Sequence, residues 1–137
     1  MAQLAAPCFQ LGYPIAQLLG GAAERRNVQI DTSLWVYALI RRAELGGAFA
    51  TVGRRGDSNG GSVLVKLVNR RAGEARLYAE ATRGDGERVW MQPVIAKDEA
   101  GLDAYITRAI RIDPDLWVVE IDDPQGRHFL VEPVEGP

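Results

Sequence analysis

The sequence contains a single cysteine, Cys8, and a single histidine, His128. One cysteine excludes an internal disulfide and any metal site built from several cysteines. One histidine excludes the common metal sites with several histidines and an acid–base pair of two histidines. We therefore predict no metal ion and no other cofactor, and a reduced protein of the cytoplasm.

Strong charge and an export signal are also missing. The chain has 16 basic and 18 acidic residues, a net charge of −2, so no overall field attracts it to nucleic acid or anionic lipid. Residues 1–9 contain no Lys or Arg, so the charged start of a secretory signal is absent. The apolar residues 11–23 include a proline and three glycines and are shorter than the roughly 20 residues that cross a bilayer. Neither export nor a membrane partner is expected.

What is present is the composition of one globular domain. The 137 residues are 47% hydrophobic and 25% charged, which is average for a soluble protein with its own core. Residues 1–27 differ from the rest in having little charge, and we interpret them as an extension that is either a short helix or flexible. Residues 28–132 are predicted to form a single domain, with 28–30 as a short extended piece. Residues 133–137, which include two prolines, are predicted to be a frayed tail.

Two segments have the apolar spacing of amphipathic helices. The first helix is predicted over residues 33–45, ending before two consecutive glycines. The second is predicted to begin after Asp98 and to end at Asp113, because Pro114 disfavours helical backbone in the residue before it.

Five further segments, residues 48–52, 62–69, 74–80, 88–92 and 116–121, have the residue types of β-strands, and residues 127–131 form a weaker sixth. Residues 63–68 are apolar on nearly both faces, so this strand is placed centrally in the sheet. Because the connections are short, neighbouring strands are expected to be antiparallel. The predicted fold is α+β: an antiparallel sheet of five or six strands with two amphipathic helices packed on one face, in the order α-β-β-β-β-α-β-(β).

The segment with the most ligand-binding groups is the loop of residues 54–61, interpreted as a hairpin connection. Its glycines allow backbone amides to converge, and Arg54 and Arg55 add forked donors, so an anion or a partner could bind here. The same glycines, Asp57 and its polar neighbours are also what an ordinary turn requires, and we favour that interpretation. The spacing does not match a phosphate-binding loop, and Lys66 falls within a strand.

Arg127 and His128 are further contact candidates near the end of the chain. No serine or cysteine nucleophile has a recognisable spacing to His128, so no catalytic residue is predicted. The aspartates around residues 113–123 occupy turn positions and are interpreted as solvated rather than as a metal site.

Several segments in the same order resemble a known family. They are residues 34–42, residues 54–57 with 61–66, residues 113–121 and residues 126–130. Together they resemble family fourteen-ninety-one of the domains of unknown function, small proteins mainly of alphaproteobacteria, over about residues 31–131. The resemblance implies a bacterial, cytoplasmic protein and no assigned activity. Members of that family begin near the first helix, so residues 1–27 depart from the pattern.

Three functions follow as hypotheses. The first, which we favour, is a non-enzymatic binding or protein-interaction domain that uses Arg54, Arg55 and Asp57, with Arg127 nearby. The second is a small enzyme or sensor for an anionic, phosphate-bearing ligand, which requires the loop arginines and His128 to meet at one site. The third and least favoured is nucleic-acid binding, which requires two arginine pairs, 41–42 and 70–71, to form one stripe.

Overall fold

The computed structural model describes residues 31–93 and 98–135. The predictions for residues 1–27 and for an extended piece at 28–30 lie outside the described residues. No helix in the described part of the chain is long and apolar enough to cross a membrane.

Both predicted helices are present. Helix α1 spans Thr32–Leu45 and buries Trp35, Val36, Leu39 and Ala43. Helix α2 spans Glu99–Ile112, and the carboxylate of Asp98 accepts a hydrogen bond from the Gly101 amide at 2.9 Å. This bond satisfies one of the amides that have no partner within a helix, so the helix begins where the sequence predicts.

Six strands form one sheet: β1 Phe49–Arg54, β2 Val63–Asn69, β3 Glu74–Thr82, β4 Arg88–Met91, β5 Trp117–Asp122 and β6 Val134–Glu135. The first five confirm the predicted strands. The sixth does not lie at 127–131, where the backbone is irregular and Phe129 has a φ of 61°. Instead Val134 and Glu135 pair with β4, so part of the stretch expected to fray belongs to the sheet.

The strand order is β1-β5-β2-β3-β4-β6, and the sheet is mixed rather than purely antiparallel. Strands β2, β3 and β4 form an antiparallel meander, after which α2 carries the chain back across the sheet. Because a helical crossover returns the chain in its original direction, β5 lies parallel to β2 while it pairs antiparallel with β1. The loop of residues 54–61 is therefore not a hairpin connection, since β5 lies between the two strands that it joins.

The sheet is covered on both faces, which corrects the prediction that both helices pack on one face. Helix α1 packs on the face that carries Val65, Tyr78 and Trp90. Helix α2 packs on the opposite face, against Leu64 and Leu77. All six residues from Val63 to Val68 are buried, and alternate side chains of a strand point to opposite faces, so each face needs its own cover. The α+β class is confirmed, with three layers rather than two.

Candidate interaction site

The loop of residues 54–61 closes over the beginning of β5. Nη1 of Arg54 donates hydrogen bonds to the carbonyl oxygens of Pro114 at 2.9 Å and Leu116 at 2.7 Å. The guanidinium of Arg54 therefore satisfies two backbone acceptors at the entrance of a central strand. Arg54 therefore stabilises the fold, and fewer of its N–H donors remain available to a ligand.

Asp57 and two glycines complete this closure. The indole Nε1 of Trp117 donates to the carbonyl oxygen of Asp57 at 2.7 Å, and the Asp57 amide donates to the Asp115 carbonyl at 3.0 Å. A Cβ atom added at Gly56 or at Gly61 would overlap the same Asp115 carbonyl oxygen. The glycines therefore permit the close approach of two backbone segments, and their role here is packing rather than anion binding.

Arg55 differs from Arg54 because its side chain is exposed and is held in place by aromatic rings. Its Nη1 donates to the Tyr37 hydroxyl at 3.0 Å, and its guanidinium carbon lies 5.4 Å from the ring centroid of Trp117. The rings of Tyr37 and Trp117 meet edge to face, with centroids 6.4 Å apart. Cation–π contact and the hydroxyl together fix an arginine that keeps part of its guanidinium free for a partner.

Further exposed side chains lie on α1 and in the loop with Arg55. Leu34 and Tyr37 lie one turn apart on α1 and are 51% and 47% exposed. The Ser33 amide donates to the Ser58 carbonyl at 3.2 Å, which fixes the loop against the start of the helix. We call Leu34, Tyr37, Arg41, Arg55 and Asn59 the loop–helix surface.

Arg127 lies at the other end of β5. Its backbone amide and its Nε donate to Oδ2 of Asp123 at 2.7 and 2.9 Å, and its Nη2 donates to the Gly46 carbonyl at 2.8 Å. The carboxylate of Asp123 is fully buried, and the hydrogen bonds from Arg127 lower its pKa. The pair therefore joins the end of β5 to the turn after α1. Strand β5 separates Arg127 from Arg54 by roughly 20 Å, at 3.3 Å per residue.

His128 does not meet the loop arginines. Its ring packs edge-on against Tyr78, with centroids 5.2 Å apart, and its Nδ1 accepts a hydrogen bond from the Leu130 amide at 2.9 Å. Burial lowers the pKa of His128, so the neutral imidazole is favoured.

Helix α1 stands between His128 and the loop. Arg42 and Trp35 of α1 bond to Phe129 and Glu132, whereas Tyr37 bonds to Arg55. At 100° per residue, Tyr37 projects from nearly the opposite side of the helix to Trp35 and Arg42. The five predicted contact residues thus divide into two groups: Arg54, Arg55 and Asp57 lie together, while Arg127 and His128 lie elsewhere. A site that combines Arg54 or Arg55 with His128 is not formed.

The arginines required for the nucleic-acid hypothesis do not form one stripe. Arg70 lies on the α2 side of the sheet, where it pairs with Glu120 and Asp122. Arg42 belongs to α1 on the opposite side and donates from Nε to the Phe129 carbonyl at 3.2 Å. A single nucleic-acid strand could not contact both pairs along one surface.

Glu132 is an unusual residue that sequence reasoning missed. Its side chain is buried, at 6% exposure, and accepts hydrogen bonds from two indoles, Trp90 Nε1 at 3.0 Å and Trp35 Nε1 at 3.3 Å. The two indole rings stack with centroids 5.3 Å apart. Burial raises the pKa of Glu132 even though the indole donors lower it. The only sequence signal is that buried tryptophans need an acceptor for their N–H groups, and this does not say which residue supplies it.

A second charged group lies under α2. Lys66 is buried within β2, and its Nζ lies 2.8 Å from both Glu99 and Asp103 of the helix. Burial lowers the pKa of Lys66, but the hydrogen bonds to Asp103 and Glu99 outweigh it, and the pKa is raised overall. A cleft of about 180 Å³ adjoins this group, lined by the β2–β3 turn, Arg70 and Glu99.

Over residues 31–93 and 98–135, no group of three or more His, Cys, Asp or Glu residues is placed to hold a metal ion.

Comparison with solved structures identifies close relatives of this fold. The chain is 70% identical to a DUF1491 family protein from Caulobacter crescentus CB15 known from a crystal structure, with a TM-score of 0.75 over 77% of this chain and 99% of that one. It is 68% identical to a Caulobacter DUF1491 protein solved by NMR, with a TM-score of 0.74 over 79% and 98% of the two chains. It is 30% identical to protein Atu0922 from A. tumefaciens, known from a solution structure, with a TM-score of 0.62 over 70% and 87% of the two chains.

The sequence also matches a family model directly. No curated protein matches the chain. The model for proteins of unknown function called DUF1491 matches residues 30–131, about three quarters of the sequence. The relatives come from alphaproteobacteria, which confirms the resemblance noted from the sequence. The chain belongs to the DUF1491 family, for which no function is assigned.

Proposed function

We propose that this protein is a non-enzymatic, cytoplasmic interaction domain that binds another protein through the loop–helix surface. The observation that carries the proposal is the placement of Arg55 between the Tyr37 hydroxyl and the Trp117 ring, beside the half-exposed Leu34. Arginine and tyrosine are enriched among the residues that dominate binding energy at protein interfaces. An arginine that is already ordered loses little entropy when a partner binds.

The chemistry of the surface indicates the kind of partner. Arg55 and Arg41 are both exposed and present forked donors suited to a carboxylate, while Leu34 and the Tyr37 ring present apolar area. A partner that matches both would place an acidic side chain at Arg55 and an apolar side chain against α1. The other groups of the loop are less available, because Arg54 and the backbone of Asp57 are bonded to the start of β5.

The experiment is co-purification with tagged protein expressed in an alphaproteobacterial host, followed by binding measurements with the protein that is recovered. Arg55→Ala should weaken binding to the recovered partner by about thirtyfold, which corresponds to the 2 kcal/mol typical of an interface hot spot. Arg71→Ala is the matched control, because Arg71 is exposed in the turn between β2 and β3. Equal affinity of the two variants would show that the loop is only a turn. Arg54→Ala is less informative, since it also removes two hydrogen bonds to the backbone.

A further inference from the structure

Strand β1 forms one border of the sheet. Among residues 31–93 and 98–135 it pairs only with β5, so alternate N–H and C=O groups along its outer edge face away from the sheet. The opposite border of the sheet is formed by β6. This strand has only two residues, and the side chain of its Glu135 is paired with Arg83. An edge that short offers little to another strand, whereas β1 has six residues.

The residues of β1 have none of the features that usually prevent edge-to-edge pairing. Residues 49–52, Phe-Ala-Thr-Val, include no charge and no proline. The register with β5 is regular over these four residues and shifts only between Val52 and Arg54. A regular, uncharged edge of this kind readily accepts another strand.

Apolar side chains border this edge on both faces of the sheet. On the α2 side, Phe49 is 70% exposed, because α2 packs over β2 and β3 and leaves β1 uncovered. On the α1 side, Ile40 and Val52 are only partly buried against the core. A strand added to β1 would cover Phe49 on one face and meet Ile40 and Val52 on the other, so the added strand gains apolar contact as well as hydrogen bonds.

We infer that the occupant of this edge is β1 of a second copy of the chain, paired antiparallel across a two-fold axis near residues 50–51. The charges at the two ends of the edge support a second copy. Glu44, in the last turn of α1, is exposed near the Phe49 end, and the exposed Arg55 follows the opposite end of the strand. A two-fold axis reverses one copy against the other, so each arginine faces a glutamate of its partner, and the contact is self-complementary.

The helices fit the same arrangement. Helix α1 packs over β1 and β5. With strands about 4.8 Å apart, the two copies of α1 would lie roughly 10 Å apart on one side of a continuous sheet. That is the ordinary distance between packed helices, so pairing of the strands also brings the two helices into contact rather than into collision.

The test is the oligomeric state of the full-length chain, measured by sedimentation equilibrium over a wide concentration range. A concentration-dependent dimer is expected. Thr51→Lys places like charges beside the axis and should raise the dimer dissociation constant at least tenfold, the effect expected of a charge placed on a pairing edge. Thr82→Lys is the matched control: Thr82 is equally an exposed strand residue, but it lies at the end of β3.

A charge reversal provides a second, milder variant. Glu44→Arg should weaken the dimer about threefold to tenfold, as expected when the two symmetry-related exposed ion pairs become repulsions. Glu74→Arg, at the exposed start of β3, should leave the dimer unchanged. Circular dichroism of all four variants verifies that they are folded.

A full-length chain that remains monomeric at every concentration overturns the inference, whether the edge stays open, is covered by residues 1–30 or takes a strand from another protein. Equal dissociation constants for Thr51→Lys and Thr82→Lys overturn it as well. The inference does not rest on the proposed function, although the dimer contact and the loop–helix surface both include Arg55. Because Thr51→Lys leaves Arg55 unchanged, it separates the two surfaces: the variant should lose the dimer whether or not a partner still binds through the loop–helix surface.

Discussion

Replacement of Glu132 by glutamine should change how the stability of the protein depends on pH. The Glu132 carboxyl is buried between two indole donors, and burial raises its pKa. The folded state therefore holds the proton of Glu132 more tightly than the unfolded chain, whose glutamates have a pKa of about 4.3. The stabilising contribution of Glu132 is complete below that pH and is lost as the pH rises through the folded pKa.

The magnitude follows from linkage and from the two hydrogen bonds. Between the unfolded and the folded pKa, the wild type loses up to about 1.4 kcal/mol of unfolding free energy per pH unit from this group. Glutamine does not titrate, but its NH₂ group would face one of the two indole N–H donors. The Glu132→Gln variant should therefore be less stable than the wild type by about 1–2 kcal/mol at acid pH. The difference should shrink, and then reverse, as the pH rises.

Urea denaturation of both proteins from about pH 4 to about pH 8 measures this difference directly. The contribution of His128, whose pKa is lowered by burial, is present in both proteins and cancels. A second readout is tryptophan emission, which should shift with pH in the wild type and not in the variant, because Trp35 and Trp90 both touch the carboxyl. A difference in stability that stays constant with pH would refute the reasoning. Glu132→Leu leaves both indoles without an acceptor and should cost about 2–4 kcal/mol at acid pH, and this cost should also shrink as the pH rises, because leucine does not titrate.

Three further changes test other parts of the structure. Gly56→Ala or Gly61→Ala should each lower the unfolding free energy by about 2–3 kcal/mol, because the new Cβ overlaps the Asp115 carbonyl. Gly60→Ala is the control and should cost less than about 1 kcal/mol, because the atom nearest to its new Cβ is 3.8 Å away. Equal losses of unfolding free energy in urea denaturation would contradict the packing role of these loop glycines. Lys66→Met should change stability by less than about 1 kcal/mol, because Glu99 and Asp103 are 42% and 56% exposed and can be rehydrated; a loss above about 3 kcal/mol would show that the ion pairs are strongly stabilising. Asp123→Asn should cost about 2–3 kcal/mol at neutral pH. Because the pKa of Asp123 is lowered in the folded protein, its contribution to the unfolding free energy is present above the unfolded pKa of about 3.9 and is lost as the pH falls through the folded pKa. The melting temperature of the variant should therefore fall less steeply with acid than that of the wild type.

The elements of this fold could be predicted from the sequence because their signals are local. The apolar stripe of α1 and the Asp98 cap of α2 each lie within a few residues of the element they define. The order of the strands is not local. Strand β5 is separated from β1 by more than sixty residues, yet it pairs with it, and no pattern within either strand specifies that partner. The buried run in β2 did contain the information that both faces are covered, since every residue from Val63 to Val68 is apolar except Lys66.

In the candidate site, too, local features could be predicted and contacts with distant residues could not. That Arg54, Arg55 and Asp57 lie close together could be predicted, because they are neighbours in the chain. Their separate tasks could not: Arg54 bonds to residues near position 115, and Arg55 bonds to Tyr37, which is 18 positions away. The separation of His128 from the loop depends on the position of α1 between them, which no sequence spacing shows.

The position of β5 has a consequence for the synthesis of the protein. This strand leaves the ribosome after β1, β2, β3 and β4, yet it occupies a central position between β1 and β2. Until it emerges, β1 lacks its pairing partner and β2 has one open edge, so the nascent chain presents unpaired strand edges and apolar faces. The centre of the sheet can be completed only after β5 has been made, and pairing over so long a separation in sequence is slow. A nascent chain that stops after β4 is therefore expected to aggregate or to require a chaperone, and refolding of the intact protein is expected to be limited by the insertion of β5.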